Sequence, residues 1–174
     1  MSFRVRDATA ADAAACAAIY APYVRDTSIS FESEPPDEAE IAHRIDDYAR
    51  SHAWLVALKD DVVVGYAYAS PHRAREAYRY SAEVSVYLDP SVQGGGVATA
   101  LYRTLFERLG ARGYRRAFAG ITLPNEPSER FHRRFGFETV GTFRGVGWKQ
   151  GQWRDVLWLQ RDIGDPGAPA GGLR

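Results

Sequence analysis

A chain of 174 residues with 45% hydrophobic and 13% aromatic residues has the length of one domain and enough apolar surface for a core without cross-links. Its 22 Lys and Arg balance 22 Asp and Glu, which lacks the basic excess of a nucleic-acid binder. Its single Cys16 excludes an internal disulfide and suits a reducing compartment, and no run reaches the ~18 apolar residues of a membrane span. The start, "MSFRVRDATAADA", has no apolar signal core. A cytoplasmic enzyme or small-ligand binder is expected, with no nucleic-acid or membrane partner.

In chain order, "FRVRDAT" alternates as a first strand. Thr9 and Asp12 then form a capping-box pattern for a helix carrying Cys16, Ile19 and Tyr20. "TSISFESEPP" is extended, and its Pro pair can open the next helix, where Ile41, Ile45 and Tyr48 mark an apolar stripe. "AWLVALKDDVVVGYAYAS" reads as two strands about Lys59-Asp60-Asp61, and "YSAEVSVYLDP" as a further strand. After three glycines, Val97, Leu101, Leu105 and Leu109 stripe a helix that Gly110 or Gly113 can end. "RRAFAGITL" is a strand, "NEPSERFHRRFGF" holds a short helix, and "ETVGTFRGVGWKQGQWRDVLWLQRDI" closes as a hairpin about Lys149-Gln150-Gly151-Gln152. No repeat or linker interrupts this order, which defines a single mixed α/β domain over residues 1–163. The Gly/Pro-rich tail, 164–174, is expected to be disordered.

Gly94, Gly95 and Gly96 cost backbone entropy and pack nothing, so something must approach that backbone closely. A strand–glycine–helix junction offers outward N–H groups and a dipole of about half a positive charge to an anion. A Walker A loop is excluded because Val97-Ala98 follows Gly96. A dinucleotide fingerprint fails at Thr99, and no acid stands about 20 residues on. What remains is Q-x-x-G-x-A, from Gln93 through Gly96 to Ala98, or a glycine-rich turn with no ligand.

"VYLDPSVQGGGVATALY" resembles the pyrophosphate-binding segment of the GNAT N-acetyltransferases, Q/R-x-x-G-x-G/A. About 40 residues on, Asn125 and "RFHRRFGF" are close to that family's later motif. Further stretches, among them "TSISFESEPP", "GYAYASPHRAREAYRYSAEVSVYLDP" and "GTFRGVGWKQGQWRDVLWLQRD", are similar in order to the phosphinothricin and methionine sulfone/sulfoximine acetyltransferase branch, from about residue 5 to 163. The resemblance implies the GNAT fold, a mixed central sheet flanked by helices. It implies acetyl-CoA as co-substrate and a small amino-acid analogue as acceptor of the acetyl group at its α-amino nitrogen. It also implies a homodimer. In such a protein Gln93, Gly94, Gly95, Gly96, Val97, Ala98 and Thr99 hold the pyrophosphate. Val86, Tyr87 and Leu88 meet the pantetheine arm, and Asn125 and Ser128 add coenzyme contacts. Asn125 can equally cap the helix after Pro127.

Period two in "SAEVSVYL" puts Glu83, Ser85 and Tyr87 on one face and Val84, Val86 and Leu88 on the other. A carboxylate in an apolar strand is either paired or a general base. An attacking ammonium must lose a proton, and desolvation makes a carboxylate a better acceptor of it. The resemblance gives Glu83 that role. An N–H near Val86 to Leu88 would stabilise the oxyanion. His132 stands where most of the family has Tyr; it either protonates the leaving thiolate or packs in its helix. "HRAREAYRY" supplies Arg73, Arg75 and Arg79 for an acceptor's anionic group, and the branch favours Arg75, Tyr78 and Tyr80. Phe31, Ser85 and Val146, with Trp148, would shape the acceptor pocket or pack the core. Histidines at 43, 52, 72 and 132 have no metal spacing, and no metal is expected. Acetylation of another amine (a polyamine, an aminoglycoside, a protein N-terminus) and non-catalytic sensing of acyl-CoA stay open.

Overall fold

The structure, a computed structural model, describes residues 3–92, 95–165, 167–169 and 173. Gln93, Gly94 and part of the tail expected to be disordered lie outside these residues. One sheet of seven strands runs through the described chain in the order β1-β2-β3-β4-β5-β7-β6. The strands are β1 Arg4–Asp7, β2 Ala53–Lys59, β3 Val62–Pro71, β4 Ser81–Leu88, β5 Arg116–Thr122, β6 Glu138–Lys149 and β7 Gln152–Asp162. Short turns explain two of the antiparallel pairs, β2–β3 and β6–β7. Asp60 and Asp61, at φ 50° and 61°, reverse β2 into β3, and Gln150 and Gly151, at 53° and 74°, reverse β6 into β7. The β4–β5 pair alone is parallel, because helix α3, Val97–Arg112, carries the chain back across the sheet.

The first helix differs slightly from the sequence expectation. Thr9 and Asp12 form the capping box, but it opens a 3-10 turn, Ala10–Asp12, and α1 follows as Ala13–Arg25. Arg6 grips both Asp12 oxygens at 2.7 Å, and this hydrogen bond holds the Asp12 carboxyl below the usual carboxylate range. The Pro35–Pro36 pair precedes α2, Glu38–Ser51, rather than opening it; the Asp37 side chain is the cap, accepting from the Glu40 N–H at 2.8 Å.

Alternation along the strands divides the core in two. Leu55, Ala67, Ala82 and Val84 face α3 and its stripe of Val97, Leu101, Leu105 and Leu109, all buried. Trp54, Val56, Tyr66 and Tyr87 face α1 and α2. Cys16 belongs to this second cluster, is fully buried, and has its thiol pushed up to about 12 by desolvation. Gly113, at φ 98°, ends α3. Helix α4, Glu126–Arg134, follows β5, and its Phe131 packs on the α3 side.

Candidate active site

The site begins where one ladder stops. β4 and β5 pair only over Ser81–Arg116, Ala82–Ala117 and Glu83–Phe118. Both strands continue, β4 to Leu88 and β5 to Thr122, and β5 keeps pairing with β7 on its other side. The two backbones therefore splay apart beyond Glu83. Main-chain groups of β4 facing the gap lack a sheet partner there and are offered to whatever enters. The wedge holds a slot of about 70 Å³ bordered by Ser85, Val86, Tyr87, Gly120, Asn125 and His132.

The glycine turn stands at the far end of β4. Gly95 and Gly96 have φ of 68° and 80°, the left-handed region where a side chain strains the backbone. A Cβ on either would meet nothing within 4 Å, so these glycines are set by dihedral and by open space, not by packing. Gly96 is the N-cap of α3, and the first ladder bond runs from the Ala100 N–H to the Gly96 carbonyl at 3.0 Å. The amides of Val97, Ala98 and Thr99 precede that bond and carry the positive end of the helix.

Adjoining the slot, with Ser85, Tyr87 and Gly120 common to both, a cleft of about 770 Å³ is bordered by Glu83, with Phe31, Arg73, Val146 and Trp158 around it. Glu83 is half-buried. Desolvation raises its pKa above the ordinary carboxylate value, partly opposed by the hydrogen bond and charge of His72 and by the charge of Arg73. His72 Nδ1 lies 3.0 Å from Glu83 Oε1. The Trp158 Nε1–H is buried with no protein partner among the described residues. Glu32, on the opposite wall, is held bidentately by Arg44 at 2.7 and 3.2 Å and takes a bond from the Tyr20 hydroxyl at 3.0 Å.

His132 is buried, and both ring nitrogens are engaged. Its Nδ1–H donates to the Ser128 carbonyl at 2.8 Å, so Nε2 accepts from the Tyr102 hydroxyl at 2.9 Å. Burial lowers the pKa of His132 and pushes the Tyr102 phenol up. Sequence left His132 as a proton donor or a packed helix residue; burial disfavours its charged form, and the ring orients a phenol bordering the slot. Asn125 does cap α4, its side-chain oxygen accepting from the Ser128 N–H at 3.3 Å, while also bordering the slot.

The structure brings together Glu83, Ser85, Phe31 and Val146 at the cleft, and Val86, Tyr87, Asn125, Ser128 and His132 at the slot. Leu88 closes β4, where its carbonyl accepts from the Tyr23 hydroxyl at 2.7 Å. Gln93 and Gly94 lie outside the described residues. Arg75 and Tyr78 are not brought to the cleft: the 3-10 turn Glu76–Tyr78 carries Tyr78, and both residues border a second cavity of about 530 Å³ with Arg79 and His52. Tyr80 lies beneath the Arg79 guanidinium, 4.8 Å from ring centre. Trp148 packs against Trp153 at 5.3 Å instead of bordering the cleft. The sequence reading missed His72 and Tyr102. The one sits in a connection without periodicity. The other follows Leu101 in a stripe already explained as core.

A sheet splayed at its parallel pair, a glycine-opened helix beyond it and a half-buried carboxylate in the cleft fit an N-acetyltransferase. A model of the acetyltransferase (GNAT) family matches residues 16–137, and the chain belongs to that family. It is 43% identical over 150 residues to a phosphinothricin N-acetyltransferase of Streptomyces coelicolor, covering 83% of this chain and 87% of that one. It is 34% identical over 168 residues to an L-methionine sulfoximine/L-methionine sulfone acetyltransferase of Pseudomonas aeruginosa, covering 95% and 97%. The crystal structure of a phosphinothricin acetyltransferase from Sinorhizobium meliloti in complex with acetyl-CoA superposes with a TM-score of 0.93 at 37% identity, covering 99% of this chain and 96% of that one.

Proposed function

We propose that the protein transfers the acetyl group of acetyl-CoA to the α-amino nitrogen of a small amino-acid analogue of the phosphinothricin or methionine sulfone/sulfoximine kind, with Glu83 as general base. The observation that carries this reading is the position of Glu83. It is the last β4 residue paired to β5 and borders the cleft of about 770 Å³, which shares Val84, Ser85 and Tyr87 with the slot of about 70 Å³. The residues fit the coenzyme. Positive-φ glycines with open space above them admit a diphosphate to the N–H groups of Val97, Ala98 and Thr99, and the edge of Val86 and Tyr87 that β5 leaves unpaired suits an extended amide-bearing arm. Acetyl-CoA supplies an already activated acetyl group, so no protein nucleophile is required.

Each side chain then has a task. Glu83 takes the ammonium proton, and its desolvation strengthens it as a base. An amide at the β4 edge stabilises charge developing on the carbonyl oxygen. Tyr102, whose hydroxyl is held by His132, borders the slot that would take the thioester. Arg73, in the cleft wall, meets the acceptor's anionic group. A cationic polyamine is repelled there.

Incubation of the enzyme and acetyl-CoA with a panel of amines, monitored by free-thiol release, tests the reading. Turnover with phosphinothricin or methionine sulfone above that with polyamines or aminoglycosides is the expected result. Binding of acetyl-CoA without thiol release for any amine would instead make the protein a sensor. The names of the relatives support the acceptor class.

The exposed apolar residues of the closing hairpin also favour a homodimer. Phe143, Val146, Trp148 and Trp153 are each 50% exposed or more, on or next to edge strand β6.

A further inference from the structure

We propose that Glu32 is a specificity-determining residue of the acceptor cleft. Its carboxylate receives an N–H at the distal end of the acceptor, so the preferred substrate is an amino acid ending in a neutral N–H donor, such as a sulfoximine. One ending in oxygen acceptors alone, a sulfone or a phosphinate, is used less well. The inference rests on the reading of the cleft as a site for small amino acids with Glu83 as base.

Glu32 lies in the connection between α1 and α2 and borders the cleft together with Glu83. The donors around it are committed. Its Oε1 accepts from Arg44 Nη1 at 2.7 Å and from the Tyr20 hydroxyl at 3.0 Å, and its Oε2 accepts from Arg44 Nη2 at 3.2 Å. A carboxylate can only accept, so the single hydroxyl proton of Tyr20 goes to Glu32. The Ser30 hydroxyl, 2.7 Å from the Tyr20 oxygen, is therefore the donor in that pair, and its oxygen accepts the Glu32 N–H at 3.1 Å. Tyr20 and Ser30 are buried and border the cleft as well. Arg44, fixed also to Glu40 at 2.7 Å, is not among the residues bordering it. These three side chains thus turn oxygen lone pairs to the cleft and no proton. Oε2, with one donor against two on Oε1, keeps a free acceptor site.

The opposite wall has the reverse character. Arg73 borders the cleft and its charge acts on Glu83, so cation and base stand together. An α-amino nitrogen and an α-carboxylate sit on one carbon and match that pairing, the nitrogen at Glu83 and the carboxylate at Arg73. The acceptor's side chain then projects away from both. Ser85 follows on the same face of β4, roughly 7 Å along the strand from Glu83. The Tyr68 side chain is hydrogen-bonded to Ser85, and its phenol feels the charge of Glu32. Glu32 therefore stands on the Ser85 side of the cleft, where the end of a short side chain arrives. Phe31, Val146 and Trp158 offer apolar surface to the methylenes between.

Methionine sulfoximine and methionine sulfone isolate this contact. They differ by one group on sulfur, =NH against =O, at nearly the same shape. The sulfoximine gives Glu32 a hydrogen. The sulfone sets lone pairs against lone pairs, and the phosphinate of phosphinothricin adds like charge. The Glu32 side chain is 34% exposed, so water softens the penalty well below the factors of a sealed pocket.

Measurement of kcat/KM for the three acceptors by free-thiol release tests the proposal. Methionine sulfoximine, as the better of its two sulfur epimers, is expected to exceed the sulfone and phosphinothricin by about tenfold. A sulfone used as well as the sulfoximine overturns the proposal without any variant. Glu32→Gln keeps the shape, and its amide can give the oxygen to Tyr20 and Arg44 and the NH2 to the cleft. Its sulfoximine-to-sulfone ratio should fall to about one, with KM for acetyl-CoA unchanged. Glu32→Asp keeps the charge but withdraws it by one methylene, and its ratio should lie between the two. The parental ratio in either variant overturns the proposal, and a lowered thermal stability at that ratio would leave Glu32 as a tie between loop and helix. The two readings fail separately. No thiol release with any of the three acceptors, while acetyl-CoA binds, would end the acceptor assignment and this inference with it. Turnover of sulfoximine and sulfone at equal kcat/KM would end only the role of Glu32.

Discussion

Glu83 is poised by three influences of opposite sign. Desolvation makes it a stronger base, while a hydrogen-bonded imidazole and a nearby guanidinium keep it ionised. Replacing it with Gln keeps the shape and a hydrogen-bonding oxygen but removes the proton acceptor. Glu83→Gln is therefore expected to lower kcat at least ~100-fold, the lower end of general acid–base effects. Calorimetric binding of acetyl-CoA should be unaffected, because the glycine turn lies at the other end of β4. Parental turnover by the variant would remove Glu83 from the chemistry. This carboxylate was legible in sequence because period two singles out a charge in an apolar strand. The state of His132 was not. A neutral ring depends on the Ser128 carbonyl and the Tyr102 hydroxyl, 4 and 30 positions away, and on burial by α3 that no local pattern states.

Strand β6 shapes the acceptor cleft through a bulge. Its register with β7 slips between Phe143 and Gly147, and Gly145, at φ 54°, is pinned by its N–H to Asp155 Oδ1 at 2.7 Å. Past the bulge, Gly147 lies directly against the Phe31 ring, and a Cβ there would overlap it. Two residues on, Lys149 Nζ reaches the carbonyls of Val24, at 2.8 Å, and Glu32, tying the hairpin to the segment that carries Phe31. The half-exposed Phe31 is the part able to yield. Gly147→Ala is expected to push that ring toward the cleft and raise KM for the acceptor by about tenfold, the effect of ~1.4 kcal/mol of lost binding. KM for acetyl-CoA should stay constant in steady-state kinetics; equal changes in both would show that the hairpin distorts the whole site. The hairpin and its two-residue turn were readable from Gln150-Gly151. The bulge was not, because "TFRGVGWK" alternates well enough to pass for a regular strand.

At the scale of the whole molecule, the order of strands and helices followed from periodicity and turn residues, whereas the splay of β4 from β5 did not. That gap arises from where two strands distant in sequence stop pairing, and each strand alone looks continuous. The same holds for the arginines: "HRAREAYRY" announced them near the site, but only the folded connection decides that Arg73 borders both the cleft and the second cavity while Arg75 borders the second cavity and not the cleft. The apolar hairpin is a further property of the assembled surface. If it buries against a second copy, size-exclusion chromatography at micromolar concentration should give about twice the 19.3 kDa chain mass, and Trp153→Glu should restore the single mass. A parent eluting as one chain would refute the association.

The sequestered sulfur of Cys16 has a practical corollary for the bench. With no solvent exposure and a pKa of about 12, it stays out of reach of disulfide dyes and maleimides while the chain is folded. A colorimetric reading of liberated coenzyme thus carries no blank from the enzyme itself. A fluorophore can be attached wherever a new cysteine is engineered, without first mutating the native one.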